Sequence, residues 1–447
     1  METASSNTPD MRSISLDPGH FERLAALAAR DHNADLFLTG ATSPGSVDVI
    51  GLCPFRELIV TERTSRPEMA AFVFDDDVPT FGFLSYEYGH ALRGLPVRNN
   101  DGFPLGHLKK YAVTLSYDRS AATLRIEEHK PDCGLDLVDL IETARRYEIK
   151  LDPGGFPQEA RLSLNRDQYI ERVKRTIEHI RDGYTYQLNL TTAFELEWPD
   201  LDSAALFFGL WRRHPASHYA LFTSGAHCIV STSPERFIRV RDGSVVSEPI
   251  KGTLRLDGSV TDAIARLTSS VKEDAELSMI VDLIRNDLSH HCEYGSVRVD
   301  QHKATFVVDD LLQMYSRVSG ILRPGSTCLD LLLDAFPCGS VTGCPKRKTL
   351  ELIAELEPHA RDVYCGTIFA IRGKHEMESS VAIRTGYYDK GRAVLRFFAG
   401  SGIVVLSDPD AEYRETVAKA GKFLNVIAAK KASRAGTARF DPESDVG

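Results

Sequence analysis

The stretch YQLNLTTAFEL, residues 186–196, has the clearest structural pattern in the chain. Its even-numbered residues are mostly apolar and its odd-numbered residues mostly polar, which is the period of two typical of a β-strand. The pattern therefore predicts a strand with Gln187, Asn189 and Thr191 on one face.

An Asp-Gly pair at 242–243 separates two short apolar runs and predicts a β-hairpin. The hairpin brings Glu235 and Lys251 to neighbouring positions. A strict two-residue turn would pair Glu235 with Ile250 and turn Lys251 to the other face, whereas a bulged or three-residue loop would place Glu235 opposite Lys251. Such a pair could act as an acid and a nucleophile, and a surface salt bridge is the alternative.

Two further segments predict helices with clustered charges, one over residues 272–284 and one that begins after residues 407–409. The charged residues that share a face within each helix are Glu273 and Glu276, then Glu412, Glu415 and Lys419. Because Mg²⁺ prefers carboxylate oxygens and takes one or two of them from a protein, the two helices could clamp one ion. A solvated charged stripe is the alternative for each helix.

Glycine-rich turns and one arginine are candidates for binding an anion. The segment FPCGSVTGCPK, residues 336–346, leads into a helix whose free N–H groups could receive a negative charge, and AGSG at 399–402 resembles it. Tight packing is the alternative for both turns. Arg384 lies among apolar neighbours, where a guanidinium needs a carboxylate from the protein or from a ligand.

The composition of the 447 residues, with 43% hydrophobic and 26% charged residues, is that of an ordinary globular protein. A formal net charge of −10 argues against broad nucleic-acid binding. The eight cysteines lack zinc-type spacing, and the chain shows neither a signal peptide nor an apolar run of about 18 residues. We therefore expect a cytoplasmic protein with reduced thiols and no nucleic-acid or membrane partner.

The chain's ends and one internal segment interrupt the periodic patterns. Residues 1–15 and 431–447 are polar and rich in small residues, so we expect both ends to be frayed. Two Pro and two Gly at 151–165 predict a boundary between domains or subdomains.

The order and spacing of the motifs resemble those of the chorismate-utilising enzymes. The motifs are QLNL, SPERF, PIKGT, KEDAELSMIVDLIRNDL, FPCGSVTGCPK, ELEP, YCGTI, AIRT, AGSGIV and DPDAEYRETVAKA. The resemblance implies an α+β fold of two stacked, mainly antiparallel β-sheets flanked by helices. It also implies an N-terminal region at 1–155 of the anthranilate or aminodeoxychorismate synthase type and a chorismate-binding catalytic domain at 160–430.

The resemblance assigns roles to the charged clusters. Glu276 and Glu415 would hold Mg²⁺, with Glu273 and Glu412 as nearby supports. The residues that would bind the substrate, chorismate, are Arg384, Lys419, Tyr364, Gly400, Ser401, Gly402, Thr253, Gln187, Ser340 and Thr342.

Two positions distinguish the members of this family. Members that use water as nucleophile have lysine where this chain has Gln187, and anthranilate synthases have alanine where it has Lys251. The sequence therefore favours the component I type of aminodeoxychorismate synthase, with Lys251 as nucleophile and Glu235 as acid. A glutamine amidotransferase subunit would supply the ammonia.

The chain also departs from the family pattern. Gln313 stands where the family usually has a catalytic histidine, and Ser401 stands where it has a glycine. The alternatives are another chorismate transformation, such as anthranilate or isochorismate formation, and a non-catalytic paralogue that binds chorismate.

Overall fold

A computed structural model describes residues 10–39, 47–98, 102–130, 133–214, 216–256, 259–308 and 311–435. The helices in these residues are α1 Pro18–Asp31, α2 Arg66–Phe74, α3 Tyr88–Ala91, α4 Leu137–Ala144, α5 Arg166–Arg181, α6 Ser203–Arg213, α7 Val260–Thr268, α8 Val271–Ser289, α9 Cys328–Ala335, α10 Lys346–Leu356 and α11 Pro409–Ala435. A 3-10 turn spans Gly339–Val341.

The strands in the same residues are β1 Asp10–Ser15, β2 Asp35–Thr39, β3 Asp48–Val60, β4 Thr80–Leu84, β5 Gly106–Asp118, β6 Thr123–Glu128, β7 Arg161–Leu162, β8 Gln187–Glu197, β9 His218–Ser224, β10 His227–Ser233, β11 Arg236–Arg241, β12 Ser244–Glu248, β13 Ile250–Arg255, β14 Arg298–Val308, β15 Leu311–Ile321, β16 Gly343–Cys344, β17 Thr367–Gly373, β18 Glu376–Val381, β19 Thr385–Asp389 and β20 Val394–Ile403. All pairings between these strands are antiparallel. The predicted α+β class with a mainly antiparallel sheet is confirmed, and the pairings join the strands into one continuous network.

The strand predicted from the period-two pattern is β8, which pairs with β20 along its whole length, from Val394 opposite Glu197 to Ile403 opposite Leu188. Both faces of β8 are buried over most of its length, so the alternation separates an apolar core face from a buried polar face. Helix α11 packs on β20 through stacked rings, with 4.8 Å between the ring centroids of Phe397 and Phe423. This packing fixes α11 relative to the paired strands.

The predicted hairpin is formed by β11 and β12, with Arg241 opposite Ser244 across the Asp242-Gly243 turn. The prediction that a bulge would place Glu235 opposite Lys251 is wrong. The register shifts within β11, so that Arg236 pairs with Glu248, and Lys251 lies in the next strand, β13, where it pairs with Met314 of β15. β12 and β13 pair with β15 in one continuous register, and the ladder is interrupted between them at Pro249, because proline cannot donate a hydrogen bond to it.

Strands from the N-terminal region are built into the same network as later strands. β2 pairs with β9, and β4 pairs with β17, so residues on both sides of the predicted boundary at 151–165 share hydrogen bonds. The fraying expected for residues 1–15 is wrong for residues 10–15, which form β1 and pair with β6. At the other end α11 continues through residue 435, and the rest of the expected tail, 436–447, lies outside the described residues.

Among the described helices, none is both long enough and apolar enough to cross a membrane.

Replacing Gly82 by alanine should destabilise the fold. Gly82 lies in β4 between β5 and β17, and an added Cβ would come within 2.3 Å of the backbone oxygen of His107. We expect Gly82→Ala to lower the free energy of unfolding by about 1–3 kcal/mol, because overpacking forces the backbone apart. Urea unfolding measures the change. Gly373→Ala in β17 is the matched control, since a Cβ there meets no atom within 4 Å, and an equal loss in both variants would contradict the steric explanation.

Candidate active site

Ser340 brings Glu235 and Lys251 together. The hydroxyl of Ser340 donates a hydrogen bond to Oε1 of Glu235 at 2.6 Å, and Nζ of Lys251 donates to the backbone oxygen of Ser340 at 3.0 Å. The carboxyl and the amine therefore meet at one residue of the glycine-rich turn rather than across a hairpin ladder. Their proximity was predicted from the sequence, but the loop that produces it was not.

Glu235 is poised to hold a proton near neutral pH. Its side chain is buried, and burial raises the pKa of its carboxyl to about 7, although the hydrogen bond from Ser340 and the charge of Lys251 oppose the rise. A carboxyl with such a pKa can donate a proton to a leaving group at neutral pH.

The carboxylates of α8 and α11 face one another around the amine of Lys272. Nζ of Lys272 lies 2.6 Å from Oε1 of Glu412, 3.7 Å from Oε1 of Glu276 and 4.0 Å from Oε2 of Glu415. The predicted faces of both helices are thus brought together. The sequence did not reveal Lys272 as part of the site, because a lysine in an acidic first turn has the pattern of a surface ion pair.

Burial and charge act in opposite directions on the ionisation of this cluster. Burial raises the pKa of Glu276 to about 7 and also raises the pKa of Glu273. The pKa of Glu415, in contrast, lies below its ordinary value. Burial alone would raise it, but the positive charges of Lys419 and Lys272 have the larger effect. At Lys272 the carboxylates outweigh burial and raise the pKa of the amine.

The donors of this cluster fit a hard divalent ion. Glu276 and Glu412 are buried, and Oε2 of Glu412 has no hydrogen-bond partner. Within the described residues, no three acidic, histidine or cysteine side chains converge closely enough to enclose an ion. Mg²⁺ needs only one or two carboxylates from a protein and completes its shell with water and substrate, so its binding by this cluster stays a prediction.

Gln187 and Glu276 meet over Gly402. A Cβ at position 402 would lie 2.8 Å from Nε2 of Gln187 and 3.1 Å from Oε2 of Glu276, so only glycine leaves both side chains in place. Gln187 is buried, and its Oε1 has no hydrogen-bond partner among the residues that the structure describes. That oxygen is therefore available to accept a hydrogen bond from a ligand.

The N–H groups of Gly400 and Gly402 point away from β8. Their partners in register, Thr191 and Asn189, donate their own N–H groups to Oε1 of Glu357 and to the backbone oxygen of Thr342. Because hydrogen-bonded and non-hydrogen-bonded pairs alternate in an antiparallel ladder, the two glycines lie in non-hydrogen-bonded pairs and direct their N–H groups outward. This orientation is the one that binding of an anion by the AGSG segment requires.

Two predicted contacts use their hydroxyls within the protein. The hydroxyl of Ser401 lies 3.1 Å from that of Tyr169, and the hydroxyl of Thr342 donates to the backbone oxygen of Cys338 at 2.9 Å. The side chain of Thr253 lies outside the described part of the chain, although its backbone belongs to β13. Substrate contacts by these three residues stay predictions.

Arg384 is a cation without an acidic partner in the described part of the chain. Its Nη1 donates only to the backbone oxygen of Lys419 at 3.2 Å, and burial lowers the pKa of its guanidinium. Tyr364 lies nearby, and its ring stacks on Phe398 with 5.3 Å between centroids. An internal salt bridge, the alternative raised from the sequence, is absent among these residues, so Arg384 can receive a ligand carboxylate.

A buried ion pair between Arg361 and Glu357 stabilises the segments that form the site. Arg361 donates to both oxygens of Glu357, and it also donates to the backbone oxygens of Val341 and Asn189 at 2.9 and 2.6 Å. It thereby ties the turn that carries Ser340 to strand β8. Sequence reasoning missed Arg361, although Glu357 belongs to the ELEP motif, because an isolated arginine gives no sign that it is buried.

Removing Arg361 should be costly. Arg361→Met leaves the buried carboxylate of Glu357 without its cation, and loss of one partner of a buried pair costs about 3–5 kcal/mol. Urea unfolding at pH 7 measures the loss. Arg347→Met on α10 is the matched control, because Arg347 is largely exposed and its pair with Glu351 is worth at most about 1 kcal/mol. An equal loss of unfolding free energy in the two variants would show that the Arg361–Glu357 pair contributes no more to stability than an exposed ion pair.

The chain is similar to chorismate-transforming proteins in sequence and in structure. Residues 40–425 match the family described as chorismate binding enzyme. The chain is 37% identical over 367 residues to aminodeoxychorismate synthase component 1 of Salmonella typhimurium, covering 79% of this chain and 78% of that protein. It is 35% identical over 365 residues to anthranilate synthase component 1 of Haloferax volcanii, covering 77% and 70%.

Two solved structures share the fold. Anthranilate synthase component I from Streptococcus pneumoniae superposes with a TM-score of 0.72 at 23% identity, covering 85% of this chain and 92% of that one. MenF, the menaquinone-specific isochorismate synthase from Escherichia coli, superposes with a TM-score of 0.71 at 19% identity, covering 94% and 95%.

Proposed function

The chain belongs to the chorismate binding enzymes, and from this premise we propose that it is the component I type of aminodeoxychorismate synthase. In the proposed reaction, ammonia replaces the 4-hydroxyl of chorismate, giving 4-amino-4-deoxychorismate without loss of pyruvate. The observation that carries the proposal is the meeting of the Glu235 carboxyl and the Lys251 amine at Ser340. Relatives named anthranilate synthase are about as similar, so the choice rests on these residues.

Glu235 and Lys251 would divide the chemistry. The uncharged amine of Lys251 attacks C2 of the ring, both ring double bonds shift, and the bond from C4 to its hydroxyl breaks as Glu235 donates a proton, so that water leaves. Ammonia then adds at C4, both double bonds shift back, and Lys251 is released. One proton of the attacking ammonia returns to the Glu235 carboxylate, which restores the acid.

Other residues would hold the substrate. The two carboxylates of chorismate need positive or N–H partners, and Arg384, Lys419 and the outward N–H groups of Gly400 and Gly402 can supply them. Glu276 and Glu415, with Glu273 and Glu412 beside them, would hold Mg²⁺. When bound, Mg²⁺ supplies positive charge that neutralises the ring carboxylate.

Ammonia would come from a separate glutamine amidotransferase subunit. Gln187 supports ammonia rather than water as nucleophile, because an amide cannot act as the base that would remove a proton from water. Its unpartnered Oε1 could instead accept a hydrogen bond from ammonia.

Product analysis tests the proposed function. With chorismate, Mg²⁺ and an ammonium salt at mildly alkaline pH, we expect the purified chain to form aminodeoxychorismate, identified by mass spectrometry and by its conversion to p-aminobenzoate with added lyase.

Lys251→Ala should abolish any covalent intermediate, and removal of Mg²⁺ with a chelator should stop turnover. Lys390→Ala, far along the chain in the turn after β19, is a lysine control that should retain activity.

A different product, or no product, would contradict the proposed function. Anthranilate, isochorismate or salicylate as product would replace the proposed activity with another chorismate transformation. Tight binding of chorismate without any product would identify a non-catalytic paralogue, the reading motivated by Gln313 and Ser401.

The rate should fall as the pH rises through about 7. Burial raises the pKa of Glu235 to about 7, and the acid works only while protonated, so raising the pH removes the active form. The measurement is kcat against pH at a fixed concentration of uncharged ammonia, which separates the enzyme's titration from that of ammonium. Glu235→Gln should lower kcat by about 10²–10⁴-fold and lack this limb. If kcat still falls as the pH rises through about 7 in Glu235→Gln, the fall is due to the titration of another group.

A further inference from the structure

A cavity lies along strands β11–β15, one of which, β13, carries Lys251. It has a volume of about 360 Å³ and is lined by residues of β9 and β11–β15 or adjoining them. Successive residues of a strand point to opposite faces, so Ile250, which lines the cavity, faces away from Lys251, its neighbour in β13. None of the residues proposed above for chorismate or Mg²⁺ lines it.

The polar side of this cavity has more cations than carboxylates. Arg236, Arg239 and Arg317 line it together with one carboxylate, Glu248. Glu248 is shared, because one of its oxygens binds Arg236 and the other binds Arg317. Arg239 is partly buried beside Arg236 and forms no salt bridge among the described residues, although Glu378, opposite it across β11 and β18, acts on its charge. An anion would relieve this excess of positive charge.

Two buried polar atoms at the cavity also have no hydrogen-bond partner within the described part of the chain. Arg236 is 8% exposed, and its Nη2 makes no hydrogen bond although Nε and Nη1 bind Glu378 and Glu248. His218 is equally buried, and its Nδ1 has no partner while Nε2 lies 3.2 Å from Glu378. Buried donors and acceptors are rarely left unpaired, so these atoms point to a missing ligand or ordered water.

The lining beside these charges is apolar and aromatic. Ile250, Phe306 and Tyr315 line it, and the rings of Phe306 and Tyr315 meet edge to face with 5.5 Å between centroids. Such a wall favours a flat ring over a fully hydrated ion. We propose that this cavity binds a small aromatic carboxylate, whose carboxylate pairs with Arg239 and Arg236 and whose ring lies against Phe306 and Tyr315.

Calorimetric titration with benzoate tests the proposal. We expect benzoate to bind the full chain, and Arg239→Gln to weaken binding at least tenfold. Because Arg239 forms no salt bridge among the described residues and the charge of Arg236 beside it opposes the attraction of Glu378 and Glu248, this variant should fold as stably as the parent, which urea unfolding checks. Arg384→Gln is the matched control: it removes a cation from the proposed chorismate site and should leave benzoate binding unchanged.

Three results would overturn the proposal. Binding that survives Arg239→Gln, or that Arg384→Gln abolishes, would place benzoate elsewhere. Acetate or inorganic phosphate binding as tightly as benzoate would exclude a role for the aromatic wall. Failure of benzoate to bind at all would exclude the site. None of these results depends on turnover of chorismate, so they are distinct from a failure of the proposed function.

Discussion

The buried ion pair between Arg361 and Glu357 is the interaction on which the site's geometry depends. Arg361 donates to Val341 in the turn after α9 and to Asn189 in β8, while Glu357 accepts from Thr191 in the same strand. The turn supplies Ser340, and the strand supplies Gln187. Without this pair, two segments that are distant in sequence would have to be held by packing alone, which fixes relative position less strictly than directional hydrogen bonds.

Burial gives the two carboxyl groups of the site their chemistry. The pKa values of Glu235 and Glu276 are both raised to about 7, but their neighbours differ. Glu235 has one hydrogen bond from Ser340 and the charge of Lys251 nearby, whereas Glu276 stands among other carboxylates around Lys272. The first environment suits a proton donor, and the second suits a group that gives up its proton when a cation arrives. A chain of net charge −10 can thus present both negative and positive surfaces to one anionic substrate.

Local patterns in the sequence predicted the strand β8, the hairpin turn at Asp242-Gly243 and the charged faces of α8 and α11, because each depends on residues close in the chain. The register within β11 could not be predicted, since the shift between Arg236 and Arg239 is set by pairing with β18 as well as β12. The role of Ser340 was likewise hidden, because it depends on how a distant turn packs. The roles of Lys272 and Arg361 could not be predicted for the same reason. Each is an ordinary charged residue in the sequence and becomes part of the site only because elements distant in the chain bury it.

The meeting point at Ser340 also determines when the site can exist during folding. Ser340 is 105 residues from Glu235 and 89 residues from Lys251 along the chain. A nascent chain that has emerged only through β13 contains the acid and the amine but not the residue that joins them. Contacts of such high sequence separation form late and slowly, so the site is completed only after most of the fold is in place. A chain that ends before residue 340 therefore contains Glu235 and Lys251 without the residue that joins them.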